Sequence, residues 1–178
     1  MDIRLRDAEA KDGAALAAIY APSILESAIS FELEVPRPEE MASRVATIQQ
    51  RYVWLVAEID GPDGPEVVGY SYGGPFRTRA AYDWTVETAI YVRADHHGTG
   101  VGRRLYDQLF VRLADLGFRL AIAGATLPND ASAGFHRAFG FEDAGVFRNV
   151  GWKLGRWWDV AFWQKALGPG AAEAPDPK

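Results

Sequence analysis

Glu87 is a lone carboxylate inside an apolar run, residues 85–92, and that run leads into Gly98-Thr99-Gly100-Val101-Gly102. By the two-residue period of a strand, Glu87 shares a face with Ala89 and Tyr91. A carboxylate buried there is costly to ionise, so its proton affinity rises and it becomes a candidate general base. An ion pair with a neighbouring arginine is the other reading, and composition alone leaves it open. The glycines permit positive φ and close backbone approach, and the helix that follows presents N–H groups without intrahelical partners. Strand, glycine turn and helix N-terminus in that order form a cradle for phosphate oxygens. The competing reading is a tight turn with no ligand. The GK[ST] ending of a Walker loop is missing, as are the further glycine and early βαβ unit of a dinucleotide fingerprint.

Arg77 and Arg79 lie in the polar loop 77–84 that precedes the Glu87 strand. A guanidinium binds carboxylate or phosphinate in two-pronged fashion, so both are candidate substrate anchors; the alternative is a pair of solvated loop charges. His96 and His97 are adjacent, point in different directions and lack an accompanying acidic or cysteine cluster, so no metal site is expected. Asn129 stands where it would cap a short helix ending near Phe139, and His136 lies on that helix. The aromatics Phe31, Tyr82, Trp84, Trp152, Trp157 and Trp158 are divided by the sequence among core, pocket and interface in no decidable way.

The elements that must carry these residues follow from periodicity. Residues 3–8 alternate as a half-buried strand, and a helix is expected over 12–25 from Leu16, Ile19 and Tyr20. A short extended piece is expected at 30–35, then a helix from Pro38 to about Tyr52, with proline and acids at its start. Strands at 52–60 and 67–76 flank GPDGP as a hairpin. Beyond the Glu87 strand, a helix over 102–116 sets Leu105, Leu109, Leu113 and Leu116 on one side, and Gly117 ends it. A strand at 119–126 reads as buried on both faces, and strands at 141–150 and 156–165 close the domain.

The chain has 178 residues, 48% of them hydrophobic and 24% charged, which suits one globular domain with a substantial core. A net charge of −5 argues against a nucleic-acid partner. There is no cysteine, which excludes disulfides, zinc–thiolate sites and a cysteine nucleophile and fits a reducing compartment. The N-terminus has no signal-peptide core and no stretch is long enough to span a bilayer, so a cytoplasmic protein without a membrane partner is expected. The domain is expected to occupy 1–167, and the Gly-, Pro- and Ala-rich residues 168–178 to fray.

With these residues in view, the chain resembles the GCN5-related N-acetyltransferases (GNAT). Their acyl-CoA motif, Gln/Arg-x-x-Gly-x-Gly/Ala, stands here as His97-Gly98-Thr99-Gly100-Val101-Gly102, with histidine in the first place. The segments RYVWLVAEIDG, AYDWTVETAIYV, LPNDASAGFHRAFGF and GWKLGRWWDVAFWQ are similar to the branch of phosphinothricin and methionine sulfone/sulfoximine acetyltransferases. The resemblance implies a single-domain α/β fold, a mixed twisted sheet of about seven strands with helices on both faces. It implies that the strands at 85–92 and 119–126 splay apart, so that the pantetheine arm pairs with freed backbone. Acetyl-CoA is then the implied cosubstrate, held by Ile90, Tyr91, Val92, Gly98, Thr99, Gly100, Val101, Gly102, Arg103, Asn129 and His136. The acceptor, a small amino-acid-like amine, falls to Arg77, Thr78, Arg79, Glu87, Thr88, Ala89 and Asn129. Glu87 is implied as base. His136 takes the place of a tyrosine that protonates the departing thiolate, and either donates that proton or only bonds the cofactor. Branch resemblance also implies a homodimer. The alternatives are acetyl transfer to a polyamine, aminoglycoside or protein N-terminus, a catalytically silent acyl-CoA sensor, and, least supported, a nucleotide-binding protein.

Overall fold

A computed structural model describes residues 2–168 of the chain. Its strands are β1 (Arg4–Asp7), β2 (Trp54–Gly61), β3 (Gly64–Pro75), β4 (Thr85–Val92), β5 (Leu120–Thr126), β6 (Glu142–Lys153) and β7 (Arg156–Ala166). Its helices are α1 (Gly13–Leu25), α2 (Pro38–Ile48), α3 (Val101–Asp115) and α4 (Asp130–Ala138). All seven strands form one sheet in the order β1-β2-β3-β4-β5-β7-β6. Only β4 and β5 run parallel; every other neighbouring pair is antiparallel, so the sheet is mixed as expected.

The two sheet faces carry separate cores, and β4 feeds both by alternation. Val86 joins Leu105, Tyr106, Leu109 and Leu113 of α3, Ala121 and Ala123 of β5 and Trp163 of β7. Tyr91 packs on the opposite core, which contains Leu16, Ile19 and Tyr20 of α1, Met41 and Val45 of α2, and Trp54, Val56 and Tyr70 of the sheet. Leu105, Leu109 and Leu113 are fully buried, each contributing about 1.5–3 kcal/mol by leaving water. That stripe fixes α3 on its face of the sheet and, with it, the glycine turn at its N-terminus.

Local chemistry sets most boundaries. Pro38 opens α2, with Glu39 and Glu40 in the first turn against the positive end of the helix. Gly117, at φ 82°, ends α3, and Gly61 pairs with Gly64 across a tight β2–β3 turn.

Some expectations change. Residues 30–35 form no strand, and α2 stops at Ile48. Leu116 lies beyond the last turn of α3 and is exposed, off the leucine stripe. Only residues 121–123 are buried in the central part of β5, whereas Gly124 is exposed. β6 begins at Glu142 and runs on to Lys153. The expectation for the C-terminal residues from 169 onward lies outside the described residues.

Candidate active site

β4 is paired with β3 along most of its length, from Val86 to Val92, but with β5 only at Thr85, Val86 and Glu87. β5 meanwhile continues to pair with β7 as far as Thr126. The two parallel strands therefore part immediately after Glu87. From Thr88 to Val92 the β5-side edge of β4 lines a wedge, the splayed geometry expected from the sequence.

At the C-terminal end of β4, a 3₁₀ turn (Ala94–His96) leads into the glycine bend. Gly98 and Gly100 have φ of 74° and 90°, and an added Cβ at either would meet nothing within 4 Å. Backbone conformation, rather than crowding, is what calls for glycine at these two positions. The first bond into α3 runs from Arg104 N–H to the Gly100 carbonyl, and no side chain caps the helix. The N–H groups of Val101, Gly102 and Arg103 consequently point out of the helix end without an intrahelical partner. Gly102 sits against Phe135 and Ile90, which a Cβ there would approach to 3.4 and 3.6 Å. His97 donates from Nε2 to the Val92 carbonyl at 2.8 Å, and His96 Nε2 accepts from Arg93 at 2.8 Å. The two histidines do point apart, each tying the bend to the end of β4.

Glu87 lies on the other face of β4, opposite Gly74 of β3, with Ala89 opposite Tyr72 and Tyr91 opposite Tyr70. Contrary to the expectation of a buried carboxylate, Glu87 is exposed. It nevertheless stands in a recess that removes enough water to raise its pKa, while the charge of Arg77 draws it partly back. No hydrogen bond or ion pair involving Glu87 occurs among the described residues, so the structural ion-pair reading falls away. The recess has an aromatic floor: Trp54 stacks on Tyr72 at 4.2 Å and on Tyr70 at 5.7 Å, and Tyr91 leans on Tyr70 at 5.3 Å. A cleft of about 340 Å³ lies beside α2, lined by Met41, Arg44, Ile48, Trp54, Tyr70 and Tyr72. A larger hollow of about 820 Å³ lies elsewhere, between α1 and the β1–β3 edge, and contains none of the expected site residues.

Arg77, Thr78 and Arg79 are exposed on the loop entering β4. Arg77 rests over Phe76 at 4.8 Å and is near enough to act on the Glu87 charge. By contrast Arg93 is engaged by Glu66, Asp95 and His96, and Arg148 by Asp159 at 2.6 Å. Among the described residues Arg77 and Arg79 make no such ion pair.

Thr88 departs from its expected place. Its side chain faces α3, buried, with the hydroxyl 3.2 Å from the Ile122 carbonyl, so it does not share the recess with Glu87. Asn129 caps α4 by accepting from Ser132 N–H at 3.0 Å. His136 is 5% exposed and stacked on Trp163. Its Nδ1–H donates to the Ser132 carbonyl at 2.8 Å, and Nε2 faces the Tyr106 hydroxyl at 3.3 Å. Burial pushes its pKa down, with the Ser132 carbonyl acting in the opposite sense. Both ring nitrogens are thus engaged within the protein.

The aromatic floor is what the sequence reading missed. Tyr70 and Tyr72 are two apart in β3, a spacing that puts them on one face; only cross-strand register adds Trp54 of β2 and places that face beside Glu87. Of the aromatics singled out, Trp152 and Trp157 are exposed on the outer β6–β7 hairpin, and Phe31 packs against Gly151.

Comparison with known proteins agrees with this geometry. The family model for the acetyltransferase (GNAT) domain matches residues 5–162. A phosphinothricin N-acetyltransferase of Streptomyces viridochromogenes is 40% identical over 92% of this chain and 87% of its own. An L-methionine sulfoximine/L-methionine sulfone acetyltransferase of Pseudomonas paraeruginosa is 36% identical over 95% of this chain and 97% of its own. Among solved structures, the GNAT superfamily phosphinothricin acetyltransferase of Sinorhizobium meliloti in complex with AcCoA superposes with a TM-score of 0.90 at 40% identity, covering 98% of this chain and 94% of that one. The chain therefore belongs to the GNAT acetyltransferase family.

Proposed function

We propose that this enzyme moves the acetyl group of acetyl-CoA to the primary α-amine of a small amino-acid analogue of the phosphinothricin or methionine sulfone/sulfoximine kind. The observation that carries this reading is the wedge itself: it opens at Glu87 and ends at the unpartnered amides of the α3 N-terminus. The residues present fit that ligand. The N–H groups of Val101, Gly102 and Arg103 would face a diphosphate there, with Gly98 to Gly100 giving the bend its path. The edge of β4 at Ile90, Tyr91 and Val92 that β5 leaves would lie along a pantetheine arm. Bound there, the cosubstrate supplies an activated acyl carbon to the mouth of the Glu87 recess.

The chain's own residues then prepare the amine. An α-ammonium has no free electron pair, and Glu87, with its raised pKa, removes the proton directly or through one water. Tyr72, the part-exposed ring of that floor, favours an incoming cation before that transfer. Arg77 and Arg79 hold the acceptor's anionic groups, with Thr78 between them and Ala89 leaving space beside the base. Strand amides near Tyr91 polarise the acyl carbonyl. A polycationic acceptor suits two unpaired arginines poorly, and a silent sensor would not need a recessed carboxylate beside the wedge. We further place the enzyme in the cytoplasm as a homodimer; the cysteine-free composition and the exposed apolar β6–β7 hairpin support those assignments.

The direct test is Glu87→Gln. Its turnover at neutral pH should fall about a hundredfold or more while acetyl-CoA affinity stays unchanged. Wild-type turnover in this variant removes the base assignment.

A further inference from the structure

The connection between α1 and α2 bridges the two strands that part after Glu87. At one end, the Thr126 hydroxyl, in the last residue of β5, donates to the Ala28 carbonyl. At the other, Tyr20 of α1 stands edge-on against Tyr91 of β4 at 4.8 Å, on the face that carries Glu87. Ser30 lies buried between these points, and each of its polar groups is engaged. Its N–H donates to the Ser23 carbonyl at 3.2 Å. The Tyr20 proton goes to the Glu32 carboxylate at 3.0 Å, so Ser30 O–H is the donor across its 2.6 Å contact with the Tyr20 oxygen. Ser30 Oγ in turn accepts from Glu32 N–H at 3.1 Å, and the Ser30 carbonyl accepts from Lys153 Nζ at 2.6 Å. Lys153 is itself buried, at the end of β6. Beside it, a Cβ added at Gly151 would come within 2.1 Å of the Phe31 ring, so the connection sits flush on the β6–β7 hairpin.

We infer that Lys153 is a positioning residue for the acceptor amine: it locks the α1–α2 connection across the parted strands and so holds Tyr20 and Arg44 at the edge of the acceptor's recess. This inference rests on the acetyl-transfer reading above. Glu32, in the locked segment, binds Arg44 of α2 with both carboxylate oxygens, and Tyr20 and Arg44 line the cleft that Tyr72 shares. Lys153 acts through Ser30; among the described residues it makes no hydrogen bond to Glu87 or to the glycine bend. The glycine turn and α3 pack on the opposite core, so a loosened connection reaches the acceptor and spares acetyl-CoA. Removing the ammonium leaves the Ser30 carbonyl buried without its donor, and the segment must shift to find another.

The experiment is steady-state kinetics with whichever of phosphinothricin and methionine sulfone the wild type turns over faster, and calorimetric titration of acetyl-CoA beside it. The proteins are wild type, Lys153→Met, Thr126→Val, Thr126→Ser and the Lys153→Met/Thr126→Val double variant. Lys153→Met keeps the stem and removes the ammonium, and Thr126→Val keeps the shape and removes the other donor to the connection. Each should raise KM for the acceptor roughly five- to thirtyfold, the size of one stranded buried carbonyl, with kcat and acetyl-CoA affinity unmoved. Thr126→Ser, which restores the hydroxyl, should restore the acceptor KM. The double variant should fall short of the product of the single effects, since both release one segment. Thr126→Val and its rescue by Thr126→Ser carry the test if Lys153→Met does not fold. An unchanged acceptor KM in both single variants, a matching loss of acetyl-CoA affinity, fully multiplicative effects or failed rescue overturns the inference while leaving the acetyl-transfer reading standing. A wild-type protein that acetylates neither acceptor overturns both.

Discussion

Glu87 lies in an exposed recess rather than a sealed core, and its proton affinity is a balance between two opposing influences. Loss of water raises its pKa and the Arg77 charge lowers it, so the acidic limb of kcat/KM should lie above the ordinary carboxylate range. Only the deprotonated form can accept a proton, and activity therefore rises with pH through this limb. Removing the opposing charge in Arg77→Ala should shift the limb to higher pH and raise KM for an anionic acceptor by roughly tenfold or more. An unmoved limb would show that Arg77 does not act on the base. The glutamate and the glycines were legible because an isolated carboxylate in an apolar strand and a run of alternate glycines are local anomalies. His136 was not, because its burial and tautomer are set by Tyr106, 30 residues away, and by Ser132.

At the scale of elements, order was more readable than placement. Turn chemistry, proline and glycine punctuation, and period-2 or leucine-stripe patterning located all seven strands and four helices in sequence. The segment between α1 and α2 was misread because distant partners determine its path. Lys153 donates to the Ser30 carbonyl at 2.6 Å, Thr126 to the Ala28 carbonyl, and Phe31 fills the space beside Gly151. Glu32 is bound by both arms of Arg44, at 2.8 and 2.9 Å, and receives the Tyr20 hydroxyl at 3.0 Å. Such contacts override the extended preference of a short apolar stretch. They also anchor this connection to the β6–β7 hairpin and, through Tyr20 packed edge-on against Tyr91, to the aromatic floor. The wedge lay beyond composition for a related reason: β4 and β5 each look like ordinary buried strands, and only their pairing shows where they part.

On the scale of the whole molecule, the sheet ends in a long edge strand that a lone protomer would leave open. β6 exposes Val146, Phe147, Val150 and Trp152, and Trp157 of β7 stands beside them. An unpaired apolar edge is a surface for association, and a stable dimer needs about 1,200–2,000 Å² of buried area. The protein should sediment as a dimer and Trp152→Lys as a monomer; a monomeric wild type at micromolar concentration would remove the homodimer. No helix among the described residues is long and apolar enough to cross a membrane. Chemistry, however, is the central claim, and release of free thiol from acetyl-CoA tests it most directly. Phosphinothricin, methionine sulfone and methionine sulfoximine should each drive thiol release in stoichiometric step with acceptor consumed, and spermidine and a peptide should drive little. Release with spermidine or the peptide alone, or with no acceptor at all, would contradict the account.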